Sequence, residues 1–92
     1  MVYVDDARIS WRGRLWCHMV ADSLDELHEF ALRLGLKRSW FQGTASYPHY
    51  DVTLEMRSKA IALGAVLGER KVIAQCAKKL KVELREQAQA QQ

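Results

Sequence analysis

The sequence has few of the features that mark several classes of protein. It contains one proline and two cysteines in 92 residues, and none of its apolar runs approaches the roughly 18 residues that a membrane span needs. Cys17 and Cys76 are too far apart for a CxxC motif, and no secretory signal precedes them. We therefore expect two reduced, buried thiols in a cytoplasmic protein that has no membrane partner.

Several motifs of nucleotide-binding and hydrolytic enzymes are also absent. The sequence contains neither GxGxxG nor GxxxxGK, the glycine-rich loops that hold phosphates. No serine has the flanking glycines of a nucleophile elbow. Cys17 and His18 are neighbours in a predicted strand, so their side chains point to opposite faces and do not form a catalytic dyad. The sequence therefore offers no recognisable enzyme nucleophile.

The formal net charge of +3 is unevenly distributed along the chain. Residues 1–68 contain eight basic and eight acidic side chains, whereas residues 69–92 contain six basic and three acidic ones. The first part is thus neutral, which argues against a broadly cationic nucleic-acid-binding domain. We predict a domain over residues 1–68 and, over residues 69–92, a basic amphipathic helical extension with a frayed tail.

Hydrophobic periodicity predicts a small α/β domain, with α+β as the alternative. Short apolar and β-branched runs predict strands at 1–4 and 15–21, with a third, very short strand at 65–67. Helical spacing of apolar residues predicts helices over 23–34, 54–63 and 69–87. Asp22 or Ser23 is expected to cap the first helix, with Ser23 and Glu26 at capping-box spacing, and Thr53 the second. Gly35 is expected to end the first helix in a left-handed conformation. The fold is then a small mixed sheet of two or three short strands packed by two helices, with a long C-terminal helix.

The remaining stretches, 8–15 and 36–50, are expected to be loops, because they contain glycine, polar residues and the only proline. The last predicted helix carries an apolar stripe formed by Ile73, Cys76, Leu80 and Leu84. A small core and an unpartnered stripe favour a homo-oligomer in which helix 69–87 packs against a copy of itself.

Six segments, in this order, resemble a known family: VYVDD at 2–6, CHMVAD at 17–22, LDELHEFA at 24–31, WFQ at 40–42, PHYDVT at 48–53 and KAIALGAV at 59–66. The chain resembles domain-of-unknown-function family 4031 over residues 2–67. That family consists of small proteins that are common in tailed phages, prophages and actinobacteria. The resemblance implies no established activity. It implies an accessory or host-interaction role, including interference with host defence, in the cytoplasm of an infected or lysogenic bacterium.

Side chains suited to phosphate and base recognition are concentrated in the 36–50 loop and the helix that follows it. Trp40 can stack a base, Gln42 can contact its edge, and Arg57 can hold a phosphate. Asp51 can orient His49 beside the start of the second helix. We expect a non-enzymatic protein, without a cofactor, that binds a nucleotide or another phosphorylated small molecule such as a host defence signalling nucleotide. The predicted ligand-binding residues are Arg8, Arg14, Trp40, Gln42, His49, Tyr50, Asp51 and Arg57.

A metal-dependent phosphoesterase or nuclease is the alternative. Paired carboxylates at the end of a strand can hold Mg²⁺ or Mn²⁺. The predicted ligands are Asp5, Asp6, His49 and Asp51, which hold the ion or act as a general base. His18 lies among apolar residues of a strand, so a hydrogen-bonded core histidine is the expected role for it.

A third hypothesis is an interaction module that contacts protein or DNA through its last helix. Lys78, Lys79, Lys81 and Arg85 crowd the second half of that helix. This hypothesis requires a binding partner for the segment 69–92, and a steep salt dependence if the partner is DNA. Nucleic acid is not the favoured partner, because the neutral part of the chain carries most of the candidate chemistry.

Overall fold

The computed structural model describes residues 1–45 and 47–90, and this part of the chain forms a five-stranded mixed sheet with three α-helices. The strands are β1 (Val2–Val4), β2 (Ile9–Trp11), β3 (Arg14–Ala21), β4 (Tyr50–Thr53) and β5 (Val66–Leu67). The helices are α1 (Leu24–Leu34), α2 (Leu54–Ala62), α3 (Arg70–Ala90) and a short 3₁₀ helix (Arg38–Trp40). The expected mixed α/β fold is confirmed, with five strands where two or three were expected. Residues 91 and 92 of the expected frayed tail, and Ser46 of the expected loop, lie outside the described residues.

The long strand β3 organises the sheet. Strands β1 and β2 pair with it on one side and β4 pairs with it on the other, all antiparallel, whereas β5 pairs in parallel with β1. Val4 lies opposite Met19 and Ile9 lies opposite Trp16. The four residues 5–8 are therefore accommodated opposite only two residues of β3. We call this segment the 5–8 bulge.

Two strands were not predicted from the sequence: β2 lies within the expected 8–15 loop, and β4 lies between the expected 36–50 loop and the second helix. Strand β2 forms a hairpin with β3 through a turn in which Arg12 (φ 51°) and Gly13 (φ 74°) are both left-handed. Two left-handed residues define the type I′ turn that matches strand twist, but arginine is an uncommon first member of such a pair. Strand β4 is only four residues long and runs directly into α2. Four residues are too few to show the alternating pattern of a strand. Its partner, β3, is far away in the sequence.

The helix boundaries follow local signals. The Ser23 side chain accepts a hydrogen bond from the Glu26 N–H, and the Thr53 side chain accepts one from the Met56 N–H. Gly35 adopts φ 94° and donates its N–H to the Leu32 carbonyl. These capping predictions are confirmed, and they hold because each depends on residues within one helical turn.

The two faces of the sheet have different surroundings. One face carries Cys17, Met19, Tyr50 and Val52, all at most 1% exposed, beneath α1 and α2. The opposite face carries His18 and Val20 and is covered in part by α3. Three residues of α3 are also buried, namely Cys76, Ala77 and Leu80. The first half of α3 is therefore an integral part of the core, and both cysteines are buried and unpaired.

None of the helices in the described ranges combines the length and apolar character that crossing a bilayer requires.

Candidate functional site

A cleft of about 830 Å³ opens on the face of the sheet that α3 covers in part. His18 and Val20 of β3 line it on the sheet side, and Ile73 and Ala77 line it on the side of α3. The 5–8 bulge contributes Asp5, Asp6 and Ala7, the 42–49 loop contributes Tyr47 and His49, and the start of α3 contributes Gly68, Glu69 and Arg70. The cleft thus combines apolar walls with a cluster of histidine and carboxylate side chains.

Asp5 and His18 are bound to each other in several ways. The Asp5 Oδ2 atom lies 2.6 Å from His18 Nδ1, and Asp5 Oδ1 accepts the His18 backbone N–H at 2.8 Å. Burial alone raises the pKa of Asp5, but hydrogen bonds from His18 and from the Ala7 N–H outweigh it and lower the pKa. The same hydrogen bond to Asp5 raises the pKa of His18. The carboxylate fixes the orientation of the imidazole, and His18 Nδ1 carries a proton.

His49 is oriented by a different partner. Its backbone carbonyl accepts the Gln42 N–H at 2.8 Å, in an isolated antiparallel bridge that closes the loop. Its Nδ1 atom faces the Tyr47 carbonyl, and its Nε2 atom lies 3.1 Å from Asp51 Oδ1. Because a carbonyl oxygen only accepts, Nδ1 carries the proton of this contact. In a neutral ring, Nε2 therefore presents a lone pair.

Strand pairing brings these groups together. His18 lies directly opposite Asp51 in the β3–β4 register, and His49 precedes Asp51 by two residues, which puts it on the same face. The His18 and His49 rings meet edge to face with centroids 4.8 Å apart. One ligating atom from each of His18, His49 and Asp51 lies within 4.8 Å of the other two. We call these three residues the His-His-Asp cluster.

The donor set of the cluster suits a divalent transition metal. Two imidazoles and a carboxylate are common ligands of Zn²⁺, Mn²⁺ and Fe²⁺ and leave coordination positions for water or substrate. Both rings engage Nδ1 as a donor, His18 to a carboxylate and His49 to a carbonyl, so that Nε2 is the atom left to bind an ion. Second partners of this kind fix the tautomer of metal-binding histidines. The described residues thus contain both the ligands and their orienting groups.

Arg57 supports the 5–8 bulge from α2. Its Nε donates to the Asp5 carbonyl at 2.7 Å, a guanidinium nitrogen lies 3.6 Å from Asp6 Oδ1, and its side chain is 13% exposed. Asp6 also accepts a 2.6 Å hydrogen bond from Arg8, which lowers the pKa of Asp6. Arg57 therefore binds the bulge from outside, Arg8 pairs with Asp6 within it, and neither arginine lines the cleft.

The structure separates the residues that sequence reasoning grouped as a ligand pocket. His49 lines the cleft, and Asp51 contacts His49. Gln42 contributes its backbone to the loop, and its side chain is exposed. Trp40 is half-exposed on the 3₁₀ helix with the Lys37 ammonium 5.7 Å from its ring centroid, and Arg14 lies at the β2–β3 turn. Tyr50 is 1% exposed and its hydroxyl contacts His28 Nδ1 at 2.9 Å. Tyr50 is therefore a core residue on the opposite face of the sheet.

The alternative set of metal ligands is partly brought together. Asp5, Asp6 and His49 line the same cleft, and Asp51 adjoins His49. Asp5 and Asp6 are engaged by His18 and by the two arginines, whereas His18 joins His49 and Asp51. Sequence reasoning expected a core role for His18, because the register between β3 and β4 was unknown. The two-residue spacing of His49 and Asp51 was the one available signal that both side chains share a face.

These features define a small α/β domain with a His-His-Asp cluster, of which His18 and His49 line a cleft beside the last helix. The chain belongs to the family described as "Protein of unknown function (DUF4031)", whose sequence model matches residues 2–80. The family resemblance is confirmed, and the match includes the first half of α3. Comparison with curated proteins and with solved structures found no match.

Proposed function

We propose that this protein is a metal-dependent hydrolase of phosphate esters, with its ion held by His18, His49 and Asp51. One observation carries the proposal: the ligating atoms of these residues lie within 4.8 Å of one another, and each histidine is oriented by a separate partner. Of the hypotheses drawn from the sequence, the metal-dependent phosphoesterase is the best supported, because two of its four expected ligands, His49 and Asp51, lie beside His18 in this cluster. The non-catalytic nucleotide pocket requires residues that lie on different surfaces.

The contact between His49 and Asp51 favours a cation at the cluster. Asp51 Oδ1 is an acceptor, and Nε2 of a neutral His49 is also an acceptor, yet the two atoms are 3.1 Å apart. Both atoms can ligate a divalent ion, and one ion bound by both would account for their proximity. His18 would supply a third ligating atom to the same ion.

On the other side of the cleft, Arg70 supplies a positive charge beside the carboxylate of Glu69. Gly68, Glu69 and Arg70 line this side at the start of the 21-residue helix α3. The N-terminus of a helix and a guanidinium both favour a phosphate group. A divalent ion held by three protein ligands lowers the pKa of a bound water toward neutrality and polarises a phosphoryl oxygen. The two sides of the cleft thus supply complementary parts of a phosphate-ester hydrolase.

The test is hydrolysis of bis(p-nitrophenyl) phosphate and p-nitrophenyl phosphate by metal-stripped protein after addition of Mn²⁺, Mg²⁺ or Zn²⁺. We expect turnover that depends on the ion and falls to the metal-free level in Asp51→Asn. The matched control is Asp25→Asn, which changes an exposed carboxylate on α1 and should leave turnover unchanged. Absence of turnover with every ion, or equal turnover in Asp51→Asn, overturns the proposal.

A further inference from the structure

The hairpin of β2 and β3 is an exposed arm with aromatic and basic side chains. Ile9 is 50% exposed and Trp11 is 56% exposed. Residues 7–21 contain three arginines and no aspartate or glutamate. Arg8 is paired with Asp6, whereas Arg12 and Arg14 have no acidic partner among the described residues. Residues 1–68 are neutral as a whole, but the acidic residues that balance the charge of the three arginines lie outside residues 7–21. The arm itself is therefore basic.

The arm shares a face of the sheet with the His-His-Asp cluster. Trp11 lies opposite Arg14 in the β2–β3 register, and Ile9 lies opposite Trp16. Alternation along β3 puts Arg14, Trp16 and His18 on one face, at a rise of about 3.3 Å per residue. Trp16 is thus about 7 Å and Arg14 about 13 Å from His18 along the strand. The exposed surface of the arm leads directly to the cluster.

The aromatic groups of the arm are held in place. The Trp16 indole N–H donates to the Trp11 carbonyl at 3.0 Å, and the two ring systems meet edge to face at 6.0 Å. The Arg12 guanidinium carbon lies 4.6 Å from the centroid of the Trp11 ring. A flat ring of this kind stacks on a nucleobase, and an adjacent guanidinium contacts a phosphate. This combination complements a nucleic acid, which carries both groups at each residue.

We propose that this arm binds single-stranded nucleic acid and leads its backbone to the His-His-Asp cluster. A single strand is favoured over a duplex because stacking on Trp11 requires an unpaired base. The binding claim stands on the arm alone. The claim that the bound strand is the substrate rests on the proposed function. In that reaction the oxygen of water bonds to phosphorus, the bond from phosphorus to the leaving sugar oxygen breaks, and that oxygen takes up a proton.

Binding is tested by the fluorescence anisotropy of a labelled oligothymidylate in EDTA, so that metal binding plays no part. We expect salt-dependent binding that weakens about tenfold in Trp11→Ala. Arg14→Ala should weaken binding and reduce the slope of log affinity against log salt by about one. Trp11→Phe retains a stacking ring and should recover part of the loss. Trp11 is exposed, so these variants should keep the thermal unfolding profile of the wild type.

The matched controls are Trp40→Ala, which removes a half-exposed tryptophan away from the arm, and Lys81→Ala, which removes an exposed cation from α3. Neither should change binding. Equal losses in these controls, an affinity for polyglutamate equal to that for the oligonucleotide, or no binding by the wild type overturns the inference. Binding in EDTA without metal-dependent turnover would contradict only the proposed function. Turnover of small phosphate esters without oligonucleotide binding would contradict only the role of the arm.

Discussion

The Nδ1 atom of His18, on β3, lies 2.6 Å from the Oδ2 atom of Asp5, the first residue after β1. This contact exists because four residues of the 5–8 bulge face only two residues of β3. The Asp5 side chain accepts the backbone N–H of His18 that a regular strand partner would accept. The bulge is therefore the device that orients the imidazole of His18, one of the three proposed metal ligands.

Replacing Asp5 by asparagine should weaken metal binding without removing a ligand. The variant keeps an oxygen for the backbone N–H groups but loses the carboxylate charge that fixes the His18 tautomer. We expect the affinity for Zn²⁺ or Mn²⁺ to fall by about 10- to 100-fold. Titration of the metal-free protein measures it. Asp6→Asn changes the adjacent carboxylate, which binds Arg8, and an equal loss in that control would refute the orienting role of Asp5.

Replacing Arg57 by lysine should destabilise the fold. A lysine lacks the Nε donor that reaches the Asp5 carbonyl at 2.7 Å, so this half-buried acceptor loses its partner. We expect the free energy of unfolding in urea to decrease by about 1–2 kcal/mol. Arg33→Lys alters an exposed arginine of α1 and should leave the free energy unchanged. Equal stability of Arg57→Lys and the wild type would contradict the role given to Arg57.

Replacing Tyr50 by phenylalanine separates a core role from a ligand-binding role. The His28 ring would lose its Tyr50 partner, and its Nε2 atom already has none among the described residues. We expect a loss of about 1–3 kcal/mol in the free energy of unfolding. Metal affinity should stay unchanged, because Tyr50 lies on the other face of the sheet. A stable variant that no longer binds metal would place Tyr50 in the site.

His28 should make the stability of the protein depend on pH. Burial lowers the pKa of His28, nearby Arg38 lowers it further, and Asp25 acts in the opposite direction. The unfolded chain then binds a proton more readily than the folded one. This contribution to stability is fully present above the ordinary pKa of about 6.5 and is lost as the pH falls through the lowered value. Urea unfolding at several pH values should show that the free energy of unfolding depends less on pH in His28→Gln than in the wild type. An equal pH dependence in the two proteins would refute this assignment.

Local patterns were enough for the elements that depend on neighbouring residues. The caps at Ser23 and Thr53 and the end of α1 at Gly35 could be predicted because each involves one turn of helix. Strands β2 and β4 could not, because short strands acquire their identity from partners far away in sequence. For the same reason, sequence alone gave no indication that β3 carries His18 to a position opposite Asp51.

The residues of the candidate site also divide into those that the sequence grouped correctly and those that it did not. His49 and Asp51 were predicted together because a carboxylate two residues away can orient an imidazole ahead of a helix start, although the strand that puts both on one face was not foreseen. Tyr50, between them, was grouped with them by chemistry alone, and the alternation of the strand directs it into the core. Trp40 belongs to the same stretch of sequence, but it lies on the 3₁₀ helix and does not line the cleft.

The central claim is that His18, His49 and Asp51 hold one metal ion, and calorimetric titration of the metal-free protein with Zn²⁺ and Mn²⁺ tests it most directly. The account predicts one ion per chain in the wild type and loss of that binding in each of His18→Ala, His49→Ala and Asp51→Asn. Asp25→Asn should bind as the wild type does. A wild-type protein that binds neither ion, or three variants that bind as tightly as the wild type, would contradict it.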